Sequence, residues 1–111
     1  MAENMITFGI ILFASFIIIV IGISQVKSKE PVGFYTGEKP PKKEDLTDAA
    51  LWNKKHGMMW IFYGVAMTGS YLLGLVIKQE FIAFVILMLA IVGGLPVMIF
   101  YHHHLMRKYL K

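Results

Sequence analysis

Two sets of residues in this 111-residue chain carry side chains able to do chemistry: Trp52, His56 and Trp60, and the run His102, His103 and His104. Four-residue spacing places Trp52, His56, Trp60 and Gly64 on one face of a helix. An imidazole flanked by indoles can bind a ligand or take up a proton near neutral pH. The same residues suit a membrane–water interface, where tryptophan concentrates at headgroup level, and that base rate favours anchoring. In the triple-histidine run successive side chains point about 100° apart, so they cannot close on one ion as i, i+4 histidines do. His56 could approach from the same side, but no carboxylate or cysteine accompanies the run to complete a zinc ligand set. Polar residues at an interface account for it better, and neither a metal site nor a cofactor is expected.

Other catalytic patterns are missing from the sequence. It contains no nucleophile elbow, phosphate loop, zincin motif or pair of carboxylates at helical spacing within an apolar stretch. Without cysteine there is no thiolate nucleophile and no disulfide framework. The expectation is a protein that is not an enzyme.

The elements that must position these residues are set by composition. The chain is 57% hydrophobic and 16% charged, against roughly a quarter charged in soluble domains. Residues 6–23, 58–77 and 81–101 contain no Asp, Glu, Lys or Arg. As helices they would span about 27, 30 and 31 Å, close to a hydrocarbon core of ~30 Å. None shows the polar face that a soluble core helix needs. The fold expected is an all-α membrane protein of three transmembrane helices, forming a single integral membrane domain over residues 1–111. A long cytoplasmic loop, residues 24–57, joins the first two spans. The turn of Lys78, Gln79 and Glu80 is so short that the last two form a tight hairpin.

Charge fixes an expected orientation. Ten of the eleven basic side chains lie between the first two spans or after the third, and only Lys78 lies opposite. Positive-inside then puts the N-terminus outside and the loop and C-terminus in the cytoplasm. The N-terminus has Glu3 in place of a basic n-region, and its basic residues, Lys27 and Lys29, follow the apolar run, so an uncleaved first helix is expected. The net charge of +4 belongs to topology and anionic headgroups, and nucleic acid is not an expected partner. The bilayer is.

Within the long loop, Lys39-Pro40-Pro41 blocks helix. Asp45, Thr47 and Asp48 then offer N-cap oxygens to a helix that starts near Thr47 and runs into the second span. Gly57 could kink it. In the second span Ala66, Ser70 and Gly74 form a small-residue face suited to close helix packing, with Gly64, Gly69 and Gly74 a weaker series. Pro96 predicts a kink in the third.

The segment Gly33-Phe34-Tyr35-Thr36-Gly37, followed by Trp52-Asn53-Lys54-Lys55-His56-Gly57 at the mouth of a span, resembles a family of small, uncharacterised bacterial three-span membrane proteins over nearly the whole chain. Over residues 33–57 it is similar, more distantly, to SdpI-type immunity proteins. In those a Gly-x-Arg-Thr-Pro run precedes a Trp and an Asn-Arg pair leading into a helix. Gly33, Thr36, Trp52 and Asn53 match that pattern, while Tyr35 and Gly37 stand where the family has Arg and Pro. The resemblance implies a bacterial cell-membrane protein with a role in toxin immunity.

Two functions follow as expectations. In the first, a non-enzymatic membrane protein binds a partner through Gly33, Phe34, Tyr35, Thr36, Gly37, Trp52, Asn53 and His56, in immunity or envelope-stress signalling. Phe34 or Tyr35 would pack on Trp52, and Asn53 or His56 would hydrogen-bond the glycine-rich backbone. In the second, an accessory subunit of a membrane transporter docks through Ala66, Ser70 and Gly74. Either requires a membrane-protein partner or a homo-oligomer.

Overall fold

In the computed structural model, residues 2–33 and 39–111 are described, and they form three long helices with one short 3-10 turn. Helix α1 is Ala2–Lys27, α2 is Ala49–Val76 and α3 is Glu80–Tyr109; the turn is Lys43–Asp45. All three helices are long and apolar enough to cross a membrane. Among the described residues there is no strand, only one antiparallel bridge between Leu46 and Leu110.

Each helix outruns its charge-free stretch, because a backbone hydrogen-bond ladder ends at caps and not at a change of polarity. Helix α2 starts where the Asp48 carboxylate accepts a hydrogen bond from the Leu51 N–H at 3.0 Å, so Asp48 supplies the cap among the three oxygens on offer. It then passes through Gly57 without interruption, and residues 49–57 of the expected loop are helical. At the other end the Ile77 N–H donates to the Leu73 carbonyl, closing the last turn. Only Ile77, Lys78 and Gln79 separate α2 from α3.

Helix α2 is the centre of the bundle, with α1 and α3 packed against it. The α1–α2 seam depends on glycine. A Cβ at Gly22 would stand 2.5 Å from the Gly57 carbonyl oxygen, one at Gly57 would overlap the Gly22 carbonyl and Val26, and one at Gly64 would lie 2.7 Å from Ile19. Gly57 thus serves as a contact point between backbones rather than a break. Across the α2–α3 seam the Tyr63 ring lies over Gly94, and its hydroxyl donates to the Ile91 carbonyl at 2.7 Å. That bond sits beside Val92, whose carbonyl Pro96 cannot serve, and α3 remains helical through Pro96. Of the small-residue face, Gly74 meets Ala83, Ser70 is half-buried and Ala66 is exposed.

Two apolar clusters fill the bundle. Met59, Tyr63, Met67 and Met98 pack midway, while Leu46, Trp52, Leu105 and Tyr109 pack at the end where α2 begins and α3 finishes. The outward faces carry large apolar side chains, among them Phe13, Phe62, Leu89 and Phe100, each at least 65% exposed.

Candidate functional site

The end cluster is also where the polar side chains gather. Trp52, Asn53 and His56 occupy one turn of α2 just inside the Asp48 cap, and they are 1%, 2% and 0% exposed. The anchoring expected for Trp52 and His56 does not hold. Their face of α2 is turned inward by the seams with α1 and α3, so both rings are buried within the bundle.

Asn53 clasps the chain that leaves α1. Its Oδ1 accepts from the Val32 N–H at 3.0 Å, and its Nδ2 donates to the Ser28 and Glu30 carbonyls at 3.1 and 2.9 Å. Only one amide orientation satisfies all three bonds, because the acceptor must face an N–H and both donors must face carbonyls. Trp52 adds a fourth, its indole N–H donating to the Val32 carbonyl at 2.7 Å. From α1, the Gln25 amide reaches the Gly33 carbonyl at 3.4 Å. An extended segment offers many unpaired backbone groups, and here side chains of two helices satisfy them.

His56 does something else. Its Nδ1 stands 2.8 Å from the Trp52 carbonyl, and its Nε2 stands 2.8 Å from Nδ1 of His102 on α3. A carbonyl only accepts, so Nδ1 of His56 carries the proton. In the neutral pair Nε2 therefore accepts from the Nδ1–H of His102, and both tautomers are fixed. The His56 ring also lies 4.1 Å from the Trp52 ring between centroids. This bond ties the last turns of α3 to the first turns of α2. The chain end completes the tie: the Thr47 N–H donates to the Tyr109 carbonyl at 2.8 Å, and the Lys111 N–H to the Asp45 carbonyl at 2.9 Å.

Of the expected site residues, the structure brings Gly33, Trp52, Asn53 and His56 to one end of the bundle. Phe34, Tyr35, Thr36 and Gly37 lie outside the described residues, and so do their expected contacts with Trp52. The glycine-rich backbone reached by Gln25 is that of Gly33, whereas Asn53 bonds Ser28, Glu30 and Val32, just upstream. His56 bonds Trp52 and His102.

Sequence reasoning missed four contributors: Gln25, Ser28, Glu30 and Val32. The last three act through backbone atoms, which leave no mark on residue type. His102 was visible only as one of three equivalent histidines. Its neighbours His103 and His104 are exposed, and Tyr101 stacks on His104. Among the described residues no group of three or more His, Cys, Asp or Glu is placed to hold an ion. A cleft of about 150 Å³ opens beside Trp52 and His102, bordered by Gly33, Lys39, Pro41 and Met106. That is below the roughly 300–1,000 Å³ typical of small-molecule pockets.

Fold and site together define an all-helical protein whose three helices can cross a membrane and whose polar network locks one end of the bundle. Compared with models of protein families, with curated proteins and with solved structures, the chain matches none.

Proposed function

We propose that the chain is a non-enzymatic, multi-pass protein of the bacterial cell membrane, with its N-terminus outside and its C-terminus in the cytoplasm, that acts by binding a membrane-protein partner. The excess of basic residues at the end holding the clasp supports the orientation. Exposed phenylalanines around all three helices support insertion, because patches of that extent are unfavourable in water.

One observation carries the partner-binding reading. Residues 28–33 are held by four side-chain bonds from Trp52 and Asn53, with Gln25 adding a fifth. A connector that only links two spans needs no such scaffold, whereas a recognition surface gains from a fixed backbone, which lowers the ordering cost of binding. Toxin immunity or envelope-stress signalling is the activity we assign to it, immunity resting on the resemblance of residues 33–57 to SdpI-type proteins. A transporter subunit docking through Ala66, Ser70 and Gly74 is less well supported, since Gly74 already faces Ala83 within the chain.

The test is site-specific photocrosslinking in cells from Lys29 and Glu30, both exposed beside the clasp. A discrete protein adduct is expected, and Asn53→Asp should abolish it while the protein still inserts. An adduct indifferent to Asn53→Asp, or none at all, would overturn the reading.

A further inference from the structure

Between α2 and α3 runs an open groove of about 630 Å³ whose lining includes none of Gln25, Trp52, Asn53 and His56. Two facing stripes build it. Lys55, Met58, Phe62 and Ala66 recur at three- and four-residue intervals on α2, and Leu89, Gly93, Val97 and Tyr101 do so on α3. Met59 and Met98 close the floor, and Phe62, Leu89 and Val97 form rims that are 65%, 67% and 66% exposed. The groove is open beside Gly93, where an added Cβ would meet nothing within 4 Å.

Its polarity is one-ended. Lys55 is the only charged residue in the lining and it is half-buried at one extremity; among the described residues no carboxylate pairs with it. From Lys55 to Ala66 is eleven residues, about 16 Å along a helix. Half of a ~30 Å hydrocarbon core is about the same length. With the helices inserted as proposed above, the groove would reach from headgroup level to about the bilayer midplane, its cation at the headgroup end.

From this match of length and charge we infer that the groove is a binding site for an anionic phospholipid of the cytoplasmic leaflet. One acyl chain lies along Gly93 between Phe62 and Val97, and the phosphate sits at the Lys55 ammonium. A second copy of the chain fits less well. A copy in the same orientation would bring Lys27 to about the level of Lys55, with Arg107 and Lys108 a turn or two further toward the same end, so like charges would gather there. The inference rests on the membrane insertion and orientation proposed above and not on partner binding.

The test reconstitutes the full chain in phosphatidylcholine vesicles carrying a minor fraction of a lipid with a photoreactive acyl chain, either phosphatidylglycerol or phosphatidylcholine. Labelling is then mapped to peptides. At Phe62 and Val97 the phosphatidylglycerol probe should exceed the phosphatidylcholine probe by about fivefold, the factor one lysine near a surface contributes to anionic-lipid attraction. Lys55→Gln should bring that ratio to about one. Gly93→Leu, whose side chain enters empty space, should suppress labelling by both probes there while leaving Phe13 on α1 labelled. Labelling of Phe13 reports insertion alone, so failure to insert is distinguished from failure of the site. Equal labelling by the two probes, a ratio unmoved by Lys55→Gln, or protein–protein adducts replacing lipid adducts at Phe62 would each overturn the inference.

Discussion

Asn53 offers the sharpest perturbation, because three bonds meet on one buried amide and the alternatives at that position differ by single atoms. Asn53→Ala removes bonds to the Val32 N–H and to the Ser28 and Glu30 carbonyls. At about 1 kcal/mol net per bond, the segment should lose about 3 kcal/mol of local stability, near a hundredfold in its opening equilibrium. Asn53→Asp is nearly isosteric and retains an acceptor for Val32. It nevertheless places an oxygen where Nδ2 faced two carbonyls, so it should be at least as damaging as alanine. The assay is amide hydrogen exchange at Val32 in detergent micelles, with an amide in the middle of α2 as internal reference. Val32 should exchange about a hundredfold faster in Asn53→Ala, with the reference unchanged. An Asn53→Asp protein that protects Val32 as the parent does would refute the donor assignment, and with it the account of the clasp.

Three further outcomes follow from the same geometry. Gly22→Ala should destabilise the bundle by about 1–3 kcal/mol through overpacking, since its Cβ meets the Gly57 carbonyl, whereas Gly69→Ala, with open space around it, should be neutral or stabilising by up to about 1 kcal/mol; thermal unfolding in detergent separates them. A double-mutant cycle of His56→Leu and His102→Leu should return a coupling of about 0.5–3 kcal/mol, and additive effects would mean that the imidazole bond does not tie α2 to α3. Cysteines at Gln79 should react with an impermeant reagent in intact cells while those at the exposed positions Glu44 and Lys108 should not, and labelling of Glu44→Cys from outside would reverse the proposed orientation.

The three helices were legible in the chain, since charge-free stretches of 18 residues or more leave few options for their backbone polar groups. Asp48 was legible as one of three caps, and the short α2–α3 connection as a reversal. These are local properties: hydropathy over a window, a side chain reaching its own backbone three residues on, the length of a turn. The inward direction of the Trp52 and His56 face was not legible, because an indole at a membrane boundary satisfies the same sequence pattern whether it meets lipid or another helix. That choice was made by Gly22, Gly57 and Gly64, which let α1 approach α2 closely, and by Gly94, which admits the Tyr63 ring. Nor could spacing choose among three adjacent histidines, or single out the backbone of residues 28–32 as the ligand of Asn53. Both depend on the rotation and crossing of helices 46 and more than 20 residues apart in the chain, quantities fixed by packing at the seams. Residue types therefore determined which segments are helical and which end is basic, while the tertiary structure alone decided which polar groups meet.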